Sequence, residues 1–131
     1  MTINEYQQLA LRTESNITDE LDHMAVMAGD DYKAWGYPIG IKRVLQGVMG
    51  LSGESGECTD IVKKTLFQGH ILRVDHLAKE LGDVAWYLAL AADAIGYDLE
   101  TIFQMNIDKL KARYPDGFDE ELSKHRKEGD V

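Results

Sequence analysis

Two pairs of acidic residues stand out in the chain: Glu54 with Glu57, and Glu80 with Asp83. Each pair is spaced i,i+3, which places both carboxylates on one face of a helix. Like charges at that spacing repel unless something neutralises them. Opposed across an antiparallel helix pair, the four could surround one or two divalent cations. Hard oxygen ligands favour magnesium, with manganese as a substitute, over zinc, because no cysteine–histidine set accompanies them. The bland alternative is a solvated helix face, since a lone ExxE is common on surfaces. The context argues for more. Gly50 and Ile61 extend the first stripe, and Tyr87, Leu90 and Ala94 extend the second, so the acids run into small or apolar residues. Acids on a semi-buried stripe need partners or metal.

A complementary set follows in Asn106, Lys109 and Arg113, which share another helical face. Amide and cationic groups so placed can receive phosphate oxygens while a metal holds others. Lys63, Lys64 and Lys79 could add positive charge, although surface salt bridging is the ordinary role of such lysines. Asn106 differs, because a mid-helix asparagine among apolar neighbours wants a specific partner. Other chemistries fare worse. There is no GxxxxGK[ST] loop, and GLSGESGE lacks the strand–helix context of a dinucleotide fingerprint. Ser52 and Ser55 do not form a GxSxG elbow. Cys58 has no adjacent base and reads as a small buried residue. His23, His70, His76 and His125 show no ligand spacing, though His76 shares the Glu80 stripe.

The elements that must position these groups read as helices. Thr2 with Glu5 is a capping-box pattern opening a short helix that ends near Thr13. A weaker helical stretch starts around Thr18 and carries Leu21, Met24, Ala25 and Ala28. Residues Gly29 to Gly40, with Trp35, Tyr37 and Pro38, read as an irregular connection. Ile41 to about Phe67 suits a helix, but Gly47, Gly50, Gly53 and Gly56 recur every third residue and leave its start open. After a break from Gln68 to Asp75, with Asp75 as a cap, His76 to Ile95 is the clearest helix. Gly96 closes it, and Leu99 to about Arg113 forms another, ended by Tyr114, Pro115, Asp116 and Gly117. The predicted fold is all-α, a compact bundle of four to five helices. One domain spans residues 1–131, with a loose polar tail over 119–131.

Composition bounds the function. The formal charge of −9, from 23 acidic and 14 basic residues, repels a phosphate backbone and argues against nucleic acid as a partner. It leaves room for a small phosphorylated ligand, because a bound cation reverses the local sign. A single cysteine allows no internal disulfide framework. The opening MTINEYQQLALR lacks the order of a signal peptide, and no apolar run approaches the ~18 residues of a membrane span. The expectation is a cytoplasmic protein that does not engage a membrane.

Three stretches, GLSGESGECTDIVKK, KELGDVAWYLALAADAIGYDLETIF and NIDKLKARYPDGF, together resemble the MazG-like nucleotide pyrophosphohydrolases of the all-alpha NTP pyrophosphatase group. The resemblance spans roughly Gly50 to Phe118, with the motifs in the family's order. It implies ExxE at Glu54 and Glu57, ExxD at Glu80 and Asp83, and an asparagine–lysine segment at Asn106 and Lys109. It further implies magnesium-dependent hydrolysis of a nucleoside triphosphate between its α and β phosphates. Glu54, Glu57, Glu80 and Asp83 would hold the metal, and one carboxylate, Glu54 or Glu57 by preference, would take a proton from water. Lys109, supported by Arg113 or Lys64, would stabilise phosphate charge, and Asn106 would position a phosphate, a sugar hydroxyl or a metal-bound water. A homodimer or homotetramer is expected on the same ground. Residues Asn16 to Arg43 depart from the smallest family pattern, so base preference lies outside the resemblance. The competing reading is a noncatalytic helical protein that binds nucleotide or metal.

Overall fold

The protein is described by a computed structural model covering residues 1–14 and 41–125. The expected helical stretch after Thr18 and the aromatic connection around Trp35 lie outside the described residues. Among those described, every regular element is helical: α1 (Ile3–Ala10) with a following 3-10 turn (Leu11–Thr13), α2 (Ile41–Phe67), α3 (Val74–Ala94), α4 (Leu99–Arg113) and α5 (Glu120–Lys124). The all-α expectation is met. Residues group into two compact units, Met1–Leu99 and Glu100–Val131.

The first unit begins with the predicted capping box. The Glu5 amide donates to Thr2 Oγ1 at 3.1 Å, and the Thr2 amide donates to Glu5 Oε2 at 2.6 Å. The reciprocal pair satisfies two of the helix's orphan donors. Helix α2 is continuous through its four glycines. Two of them explain why it tolerates the propensity cost. A Cβ on Gly47 would sit 2.9 Å from the backbone of Ala91, and one on Gly50 would sit 2.1 Å from the Tyr87 ring. The missing side chains let α2 lie close against α3. Pairing of 47 with 91 and 50 with 87 shows that the two helices run antiparallel, as their short connection requires.

That connection starts at Gly69, whose φ of +71° ends α2, with the His70 amide donating to Lys64 O. Helix α3 then begins earlier than predicted. Arg73 is its N-cap and Val74 its first residue, while Asp75 lies inside the first turn rather than capping it. There its charge favours the helix through the dipole. Gly96, at φ +80°, closes the helix as expected.

The core sits in the C-terminal half of α3, where Ala89, Leu90, Ala92 and Ala94 are buried together with Leu99. Leu90 and Ala94 belong to the stripe that also carries Glu80 and Asp83. Leu81 and Ile95, on the same helix, are exposed. Gln7 is the buried polar residue among those described; its amide nitrogen donates to Ala89 O and Tyr97 O, and its oxygen accepts from the Leu99 amide at 3.0 Å. Arg43 pairs with both Glu14 and Asp93, joining the start of α2 to the end of α3. No helix among the described residues is long and apolar enough to cross a membrane.

In the second unit, α4 ends before a turn at Tyr114–Gly117, with Gly117 at φ +101°. The polar segment beyond contains the short helix α5, whose N-cap Asp119 accepts from the Leu122 amide at 2.8 Å.

Candidate metal centre

The antiparallel register of α2 and α3 brings Glu54 opposite Glu80 and Asp83. One carboxylate oxygen from each lies within 4.8 Å of the others. Glu54 and Glu80 are half-buried and Asp83 is exposed, so the trio opens to solvent on one side. Burial pushes the Glu54 carboxyl upward, and the nearby charges of Asp83, Glu80 and Glu57 push it further. Three acids this close with no cation between them oppose one another electrostatically. The donors are all hard oxygens, which suit a magnesium-type cation, and the residues present therefore fit a divalent metal.

Glu57, the remaining acid of the sequence motif, is exposed one turn along α2 and lies outside the trio. It is near enough to act on Glu54 through charge. His76 Nε2 lies 2.9 Å from Glu80 Oε1, one turn back on α3. Tyr6 contributes from α1, its hydroxyl 3.4 Å from Gly82 O, and burial followed by the charge of Asp83 raises its pKa.

Beside the acids lies an open cleft of about 460 Å³ lined by Thr13, Glu54, Asp83, Trp86 and Tyr87. The Trp86 indole N–H donates to Ala10 O and to Thr13 Oγ1, both at 2.9 Å. Its ring meets Tyr87 edge-on, with centroids 4.8 Å apart. The 3-10 turn after α1 is thereby fastened to one wall of the cleft. Thr13 was visible in the sequence only as a helix end, and no local pattern marks its place beside the acids.

The predicted cations have separate settings. Lys64 is bound to Asp60 one turn back on α2, and Lys63 pairs with the same carboxylate. Those two ammonium groups hold Asp60 well below the usual range, at about 2. Asn106, Lys109 and Arg113 stand on α4, in the second unit. Asn106 and Lys109 are exposed there, while Arg113 is half-buried with its guanidinium carbon 6.0 Å from the centre of the Tyr114 ring. Cys58 is half-buried and lines an apolar groove with Val62, Leu66, Phe67 and Leu77.

Comparison with known proteins agrees with the arrangement. Residues 43–118, more than half of the chain, match the model of the MazG nucleotide pyrophosphohydrolase domain. The chain is also similar to the Gene 37 protein of Mycobacterium phage L5, with 45% identity over 69 residues. That similarity covers 50% of this chain and 60% of the phage protein, so less than two thirds of the relative's length is spanned. No solved structure gives a significant match. With the motif acids gathered across α2 and α3, and the matched segment running from before the first pair to beyond Arg113, the chain belongs to the MazG nucleotide pyrophosphohydrolase domain family.

Proposed function

We propose that this protein hydrolyses a nucleoside triphosphate between the α and β phosphates, giving the monophosphate and pyrophosphate. The observation that carries the reading is the trio of Glu54, Glu80 and Asp83 at the edge of a cleft with aromatic walls. Such a trio suits a triphosphate only when a cation intervenes, because carboxylates and phosphates repel. Magnesium, with manganese as a substitute, is the cation proposed. When bound it supplies Lewis-acid polarisation of phosphate oxygens and acidifies ligated water.

The chain's own residues are assigned as follows. Glu54, Glu80 and Asp83 ligate the metal. Glu57, on the same face of α2 but outside the trio, takes the proton from the attacking water as the α–β bridge breaks. Lys109, with Arg113 and Lys64, balances charge on the phosphates, and Asn106 orients the substrate. These four assignments rest on helix spacing and family membership. Trp86 and Tyr87 form the wall available to the nucleoside. A cytoplasmic homodimer or homotetramer completes the proposal, on the family resemblance and the many apolar side chains exposed on α2.

The test is a turnover screen of the purified protein over ribo- and deoxyribonucleoside triphosphates with magnesium. Pyrophosphate release that is abolished by Asp83→Asn supports the assignment. Tight magnesium and nucleotide binding without any phosphate-bond cleavage overturns it in favour of a noncatalytic binding protein. Release of orthophosphate alone would keep the site and reject the reaction.

A further inference from the structure

The 3-10 turn beside the cleft has little apolar packing to hold it. Arg12 and Thr13 are exposed and Leu11 is half-buried. A single 3-10 turn has few hydrogen bonds of its own, so its place depends on what it is tied to. One tie is Trp86, whose indole N–H donates to Ala10 O and Thr13 Oγ1. The other is Glu14, the next residue along, whose side chain is only 16% exposed. Arg43 donates to it from Nε to Oε1 and from Nη2 to Oε2, the second bond 2.7 Å long. The same guanidinium donates from Nη1 to Asp93 Oδ2 at 2.7 Å. Trp86 and Asp93 are seven residues apart on α3, which puts them on one face with about 10 Å of rise between them. The segment from Ala10 to Glu14 is therefore fastened to that face at two points, two turns apart. A two-bond guanidinium–carboxylate pair fixes direction as well as distance.

We propose that Arg43 is a positioning residue for the aromatic wall of the cleft. It acts through Glu14 and is not among the side chains that line the cleft. Holding Glu14 against α3 keeps Thr13 where it accepts from the Trp86 indole, and so keeps the ring in one setting. The acids stand on α2 and α3 and do not depend on the turn. Loss of the clamp should therefore weaken binding of the nucleoside and leave the chemical step alone. An ion pair that only stabilised the fold would lower the melting midpoint and leave the folded cleft unchanged. The inference rests on the proposed function for what enters the cleft, while the setting of the wall stands on the hydrogen bonds alone.

Acrylamide quenching of the full chain carrying Trp35→Phe, which leaves Trp86 as the one indole, reads the wall directly. Without nucleotide and well below the melting transition, Arg43→Met and Glu14→Ala are each expected to raise quenching and shift emission to the red. Steady-state kinetics of the same two variants, with Trp35 retained, use magnesium and each common ribo- and deoxyribonucleoside triphosphate. KM is expected to rise about fivefold with kcat unchanged, as when binding common to ground and transition states is lost. The double variant is expected to be no worse than either single one, because the two side chains act through one contact. Wild-type quenching in both single variants overturns the positioning role. So does raised quenching with an unchanged KM, or additive loss in the double variant. If the wild type turns over no triphosphate, the proposed function falls, and quenching alone decides whether Arg43 sets the wall.

Discussion

At the scale of single residues, the division of labour among the acids is the central question. Glu54, Glu80 and Asp83 come within 4.8 Å of one another, while Glu57 stays outside and exposed. A ligand and a proton acceptor should respond differently to loss of charge. Glu80→Gln should weaken manganese binding and activity together. Glu57→Gln should leave manganese affinity within about threefold of the wild type and lower kcat by roughly 10²–10⁴, the usual contribution of a general base. Calorimetry alongside steady-state kinetics checks both, and a Glu57→Gln variant that loses metal would return Glu57 to the ligand set. Asp60 offers a separate test away from the chemistry. Its carboxyl is lowered from 3.8 to about 2 by Lys63 and Lys64. A depressed carboxyl stabilises the fold above its unfolded value and loses that effect as pH falls through the folded one. The melting difference between wild type and Asp60→Asn should therefore be constant above about pH 5 and vanish toward pH 2. It should also be small, because both lysine partners are exposed to solvent.

At the scale of elements, α2 was the helix whose beginning the sequence left open, because four glycines cost propensity that no local signal repaid. The packing supplies the reason for two of them. Gly47 meets the backbone of Ala91, whereas Gly53 faces open space within 4 Å among the described residues. Gly47→Ala should force the helices apart and destabilise the protein by about 1–3 kcal/mol, as overpacking does. Gly53→Ala should be neutral or stabilising by up to ~1 kcal/mol through helix propensity. Urea denaturation of the two variants decides the matter, and equal effects would mean that the close approach at Gly47 is not what α2 requires. The pairing of the acids was legible for a related reason. Glu80 and Asp83 share a stripe with Tyr87, Leu90 and Ala94, and the seating of the Tyr87 ring against Gly50 turns that stripe toward α2. The start of α3 was not legible. Asp75 resembles a cap, but Arg73 holds that position without any side-chain bond, and a cap lacking a capping side chain leaves no mark in sequence.

At the scale of the molecule, the first unit is held together by polar residues that periodicity treats as surface. Gln7 stands in a short amphipathic helix whose pattern gives no hint that a glutamine faces inward, since the cause lies about 90 residues away. It is 2% exposed and satisfies three backbone groups: the carbonyls of Ala89 and Tyr97, and the Leu99 amide. The last is an orphan donor at the opening of α4. One side chain thus ties α1 to the end of α3 and to the residue that follows the Gly96 turn. Gln7→Leu keeps approximate size and removes every one of these bonds, leaving the buried Leu99 amide without its partner. The expected loss is about 1–3 kcal/mol, the cost of one buried backbone donor left unsatisfied. The effect should also reach the cleft. Trp86 is held by Ala10 O and Thr13 Oγ1 at the far end of the same segment, so a loosened α1 should expose its indole. Equilibrium denaturation followed by tryptophan emission reads both effects at once. A variant as stable as the wild type, with unshifted emission before the transition, would show that α1 is held by its apolar face alone.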